Sequence, residues 1–292
     1  MQTLIRWSNK AAPFFIAVPM AIFGVQHFIY LEFVANFIPA WIPWRVFWAC
    51  FTGVALIAAA VGIALKIWAR WAATLLGAMI FLFVLLLHTS RIAAQPAEFG
   101  EWRGIFQALA MSGCAFALAE SFALNASGAV TPRTGFVRAM TALSDLGAKL
   151  APWFMGVAIT ALGLEHFIFA RVTSPQVPLW IPETVVGNYL TGTALIACGI
   201  GLCLAQVRRN AATLLAILIF LSMLVFHLPV VLRSPRFESD WTKTLVLSGG
   251  FLLLAKIFRE NENSNETRAS NLASRPHSKD ATALPDRLPA RH

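Results

Sequence analysis

The sequence predicts an all-α membrane protein whose eight transmembrane helices form two parallel four-helix repeats. Composition is the first observation behind this. Over 292 residues the chain is 58% hydrophobic and 13% charged, with a mean hydropathy of +0.68, too apolar for a soluble domain of this length. The second is an internal repeat. Gly24-Val25-Gln26-His27-Phe28-Ile29, followed by Pro39-Ala40-Trp41-Ile42-Pro43, returns as Gly163-Leu164-Glu165-His166-Phe167-Ile168 and Pro178-Leu179-Trp180-Ile181-Pro182, displaced by 139 residues. Between residues 13–102 and 152–241, 33 of 90 positions are identical, which marks a tandem duplication. The third is an uneven distribution of basic residues between the two ends of the spans.

A hydrocarbon core of ~30 Å takes ~20 helical residues to cross. Apolar runs of about that length lie at residues 13–31, 46–67, 72–92 and 105–124, and again at 152–170, 185–205, 211–232 and 244–258. These runs divide the chain into a first four-helix repeat over 1–124, a cytoplasmic linker over 125–150, a second repeat over 151–258 and a tail over 259–292. The first run is no cleaved signal peptide, because it has a full partner deep in the chain.

The net charge of +9 describes topology, not nucleic-acid binding. With the N-terminus on one side, that side collects 16 Lys and Arg and the other 7. By the positive-inside rule the first side is the cytoplasm, so both termini of a multi-pass membrane protein are expected to be cytoplasmic. The cysteines at 50, 114, 198 and 203 fall inside spans, form no C-x-x-C pair and have no repeat partners. They read as small buried apolar residues.

Along the chain, residues 32–45 read as an outer loop in which Pro39 and Pro43 disfavour helix and push the residues before them toward extended backbone, and Trp41, Trp44 and Trp48 suit the headgroup level. Small residues dominate spans two and six, among them Gly53, Ala59, Gly62, Gly192 and Gly201. Within lipid such residues mark packing faces, so these two helices are expected at the centre. Residues 95–103 and 234–243 read as polar outer loops. The linker carries Phe136, Met140 and Leu143 on one side, the pattern of an interfacial amphipathic helix. The tail is polar and is expected to be disordered.

The sharpest chemical signal is histidine. Four of six lie inside spans as repeat-related pairs, His27 with His166 and His88 with His227. Each sits about four residues before the outer end of its span, ~6 Å deep at ~1.5 Å rise per residue. Each half is therefore expected to bring two imidazoles face to face. Three readings stand side by side. The histidines fix the outer end of the bundle through hydrogen bonds; or they line a pocket for a quinone or similar small redox ligand, with Gln26 or Glu165 as proton partner; or His27 with His88, or His166 with His227, ligates haem iron or another metal. Glu165 is an acidic group well inside a span, which makes the second copy the expected working site. Trp41 and Trp180 are belt residues first and ligand-stacking candidates second. No Walker loop, G-x-S-x-G or H-E-x-x-H motif is present, which removes kinase and hydrolase chemistry.

The four-span unit resembles the DoxX-like family of small bacterial membrane proteins. The matching residues are Gly24, the Pro/Trp/Pro loop, Thr52-Gly53 with Leu56, Ile57 and Gly62, then Arg70-x-Ala72-Ala73 and His88. Copy two matches at Gly163, Pro178, Thr191-Gly192, Gly201, Arg209-x-Ala211-Ala212 and His227. It departs from the family in lacking a glutamate shortly before Gly53 or Gly192 and in carrying His27 and His166 where lysine is common. The resemblance implies an accessory or electron-transfer component of quinone-linked redox metabolism, working beside a membrane or periplasmic redox partner protein. The alternative is a small-molecule transporter or a structural membrane module with no catalytic activity.

Overall fold

The computed structural model describes residues 2–125, 134–169, 184–233 and 240–273, and among them every regular element is helical. α1 (Gln2–Ile29) holds Pro13 and Pro19 within it. α2 (Leu31–Phe37) precedes α3 (Arg45–Ala64). α4 (Ala69–Phe83) passes through a π-helical turn, Val84–His88, into α5 (Thr89–Ala94), and α6 (Phe99–Asn125) comes next. α7 (Gly135–Ile168) is capped by the Thr134 hydroxyl, which accepts from the Val137 N–H at 3.3 Å. α8 (Thr184–Cys203) leads to α9 (Arg208–Ser222), a second π-helical turn at Met223–His227 and α10 (Leu228–Arg233). α11 (Asp240–Ala273) ends the described chain. Among the described residues eight helical stretches are long and apolar enough to span a bilayer, and the chain is a multi-pass integral membrane protein.

Residues 1–258 form one compact unit. α1 lies on α3 through Gly24 and Gly53: a Cβ at Gly24 would stand 2.8 Å from the Gly53 carbonyl oxygen, and one at Gly53 would stand 3.1 Å from that of Gly24. α7 lies on α8 in the same manner through Gly163 and Gly192, at 2.9 and 2.8 Å. Such closeness is what small residues allow where lipid supplies no hydrophobic drive between helices. α6 packs on α4, where Ser112 Oγ donates to the Gly77 carbonyl at 2.8 Å, and on α7 through Gly113 and Gly147. α11 meets α1 through Gly249, α6 through Gly250 and α9 through Ser248, whose Oγ donates to the Ala216 carbonyl at 3.2 Å.

Ring stacking ties early spans to late ones reciprocally. Phe81 stacks on Phe154 at 4.9 Å, and Phe220, 139 residues beyond Phe81, stacks on Phe15, 139 before Phe154, at 5.8 Å.

Several expectations change. The central helices are spans four and eight, not two and six: 56% and 61% of their most apolar stretches are buried, against 28% and 33%. Span two sets Gly53 against α1 and Gly62 against Ala72 of α4, and leaves Phe51, Val54 and Val61 exposed. The linker helix is not separate, because residues 135–150 are the first turns of α7. Its buried edge is Ser144, Gly147 and Ala151, while Phe136 is exposed; Gly147 leaves room for Phe116 of α6. Residues 31–37 are helical where a loop was expected, since Pro39 restricts only the backbone next to it. The 139-residue displacement does not hold in the last span. Gly249 meets Ala12 O, Phe15 Cβ and Ile16, as Gly113, only 136 positions earlier, meets Ala151 O, Phe154 Cβ and Met155.

The second unit, residues 259–292, was expected to be disordered, yet its described part is helical to Ala273. Hydroxyl side chains bond along the helix there, as Ser264 does to the Glu260 carbonyl at 2.8 Å. Residues 261–271 are nearly all exposed.

Candidate polar site at the histidine end

The histidine-bearing ends of the spans hold a continuous set of charged and polar side chains that joins the two halves. Glu165, 8% exposed on α7, accepts through Oε2 from Arg103 Nε of α6 at 3.3 Å. Arg103 also lies over the Phe99 ring at 4.4 Å, and Phe99 meets Phe169 at 4.0 Å. Four residues further along α6, Gln107 Oε1 accepts from Lys243 Nζ of α11 at 3.0 Å, and Lys243 pairs with Asp240 at 3.2 Å. Arg103 and His227 both lie within electrostatic range of Asp240. Across α6, Arg91 Nε donates to Glu101 Oε2 at 2.7 Å while the guanidinium lies over Phe37 at 4.2 Å.

The histidines stand around this set. His88 ends the π-helical turn of the third span and lies against the α6 backbone: a Cβ added at Gly104 would meet its ring at 3.2 Å. Glu101, Lys243 and Arg91 are the charges acting on it. His227 ends the matching turn of the seventh span. π-Helical turns inside α-helices recur at functional sites, where the extra residue re-aims the side chains beyond it. His166 feels Arg103, and its Nδ1 donates to the Leu162 carbonyl at 2.8 Å. His27 Nδ1 does the same to Phe23 at 2.7 Å. A carbonyl can only accept, so these bonds place the proton on Nδ1 and leave Nε2 of each neutral ring as an acceptor.

His27 is held to its own helix and, through Cβ, against Gly53, whereas His88 is held against α6. What the structure brings together is the acid of the second half with the fourth span of the first. Trp41 is 65% exposed on its loop, as a belt residue is. Trp180 and the rest of its loop lie outside the described residues. Among the described residues no group of three or more His, Cys, Asp or Glu could hold a metal ion.

The sequence reading missed Arg103, Glu101, Gln107, Asp240 and Lys243 by assigning four of them to loops. The helices begin at Phe99 and Asp240, which puts these positions in the first three turns of spans. The available signal was spacing: Arg103 and Gln107, and likewise Asp240 and Lys243, are placed to share a helix face.

Three of the four buried polar atoms without a hydrogen-bond partner among the described residues belong to positions named from sequence: Gln26 Oε1, Glu165 Oε1 and His88 Nδ1. Gln26 and Glu165 are 139 residues apart and occupy matching places.

A family model described as a domain of unknown function (DUF8561) matches residues 155–249, from α7 to α11. That description names no activity, ligand or partner. No curated protein and no solved structure matches the chain.

Proposed function

We propose that the chain is a DoxX-like integral protein of a bacterial cytoplasmic membrane, built from two parallel four-span repeats with both termini cytoplasmic. In this reading it binds a quinone-type ligand at the histidine end, as an accessory or electron-transfer component of redox metabolism. The ligand part is carried by the unpartnered Glu165 Oε1, Gln26 Oε1 and His88 Nδ1, since buried polar atoms of this kind call for a partner. A quinone headgroup offers carbonyl acceptors when oxidised and hydroxyl donors when reduced. Arg103 and the His88 ring can donate; Glu165 and His166 Nε2 can accept. The repeat reading is supported by the matched glycine contacts, the two π-helical turns and the reciprocal Phe81–Phe154 and Phe15–Phe220 stacks. The sidedness rests on the basic excess.

The structural-module alternative is favoured by one observation, that Arg103, Glu165, Lys243 and Asp240 already pair with one another. An absorption spectrum of the purified protein with mass spectrometry of its extractable lipids separates the two. A bound quinone is expected; no quinone and no redox-active absorbance would leave the structural module.

A further inference from the structure

We propose that the acceptor side of this network binds one uncharged, lipophilic molecule through a hydroxyl donor, seated on Glu165 where α6 meets α7. This rests on the quinone-type ligand proposed for the histidine end and names which form of ligand the site prefers. Two observations carry it.

The first is the chemistry of the atoms that lack partners. Gln26 Oε1 and Glu165 Oε1 are acceptors. His27 and His166 use Nδ1–H on their own helices, so Nε2 of each is an acceptor as well. Glu165 is 8% exposed and, among the described residues, only its Oε2 is paired, with Arg103. Leaving a buried carboxylate oxygen unbonded is unfavourable, and an O–H reaching it removes that penalty through a charge-assisted bond. A carbonyl or ether oxygen cannot do this.

The second is charge balance. Arg91, Arg103 and Lys243 face Glu101, Glu165 and Asp240, pair by pair. The set is formally neutral with neutral imidazoles, so a charged occupant would leave an uncompensated charge between apolar helices. A neutral occupant leaves none. Position 26, which corresponds to Glu165 in the first half, carries glutamine, so the carboxylate end of the site exists once per chain.

The test titrates two matched probe pairs into the full-length protein in detergent micelles: decylhydroquinone against decylquinone, and 4-nonylphenol against 4-nonylanisole. The second pair removes redox chemistry and keeps the donor question. The hydroxyl-bearing member of each pair should bind at least about tenfold more tightly, as loss of a hydrogen bond to a charged group predicts, at one per chain. Glu165→Gln, and Glu165→Gln with Arg103→Gln, should abolish the preference, leaving the two members of each pair with equal affinity. The double variant keeps the network neutral and decides the matter if the single one does not fold. Equal affinity within each pair, or a preference surviving in both folded variants, would overturn the inference while the quinone reading stands. Binding by none of the four probes overturns both.

Discussion

Gly53→Ala and Gly192→Ala test the close helix contacts of both halves and the correspondence between them. A methyl at 53 would stand 2.8 Å from Phe28 Cε2, 2.9 Å from His27 Cβ and 3.1 Å from the Gly24 oxygen. At 192 it would stand 2.8 Å from both Phe167 Cε2 and the Gly163 oxygen, and 2.9 Å from His166 Cβ. Carbon atoms pack at about 3.5–4.0 Å, so each interface must open by roughly 0.7–1 Å. The phenylalanine rings can swing aside, but a carbonyl oxygen and a Cβ move only with their helix. Overpacking of this kind costs about 1–3 kcal/mol. Replacing a helical glycine by alanine returns up to ~1 kcal/mol, so each variant should lose about 1–2 kcal/mol, by the same amount within error. Gly187→Ala is the control: it lies in α8 with nothing within 4 Å of the added methyl, and should be neutral or slightly stabilising. The assay is equilibrium unfolding in detergent followed by tryptophan fluorescence. If Gly53→Ala and Gly192→Ala were as stable as Gly187→Ala, the α1–α3 and α7–α8 contacts would not be the close ones described.

Arg103→Met should destabilise by about 2–4 kcal/mol, the lower part of the range for breaking a buried pair because Arg103 keeps 25% of its side chain exposed. Arg103→Met with Glu165→Met should recover most of that loss, and additive effects in the double-mutant cycle would show that the two do not interact. Truncation after Phe258 should leave insertion and folding intact, since residues 259–292 form a unit of their own; loss of expression would contradict this. A reporter that folds only in the periplasm should stay silent when fused at His292, and activity there would reverse the proposed topology.

Much of the fold was legible because apolar run length, helix geometry and bilayer thickness constrain one another. The eight runs appear at their expected places, with ends that differ where polar residues extend a helix past the apolar stretch, as at 135–150 and 240–243. Gly53 and Gly192 were identifiable as contact residues because smallness is a packing signal in lipid. The same signal misplaced the bundle centre: smallness says how closely one face approaches, while burial of spans four and eight depends on how many neighbours surround a helix. The histidines and Glu165 stood out as ionisable groups inside spans. Their partners did not, because pairing Glu165 with Arg103, 62 residues away and in the other half, depends on which helices adjoin, and hydropathy carries no information on that.

Native mass spectrometry of the intact protein, released gently from micelles and compared with the Glu165→Gln, Arg103→Gln variant, tests the central claim most directly. The polar network around Glu165 is proposed to hold one ligand per chain. Wild type should retain one small lipophilic molecule of defined mass and the folded variant none. Wild type stripped to the bare polypeptide mass, or the same adduct on both proteins, would contradict it.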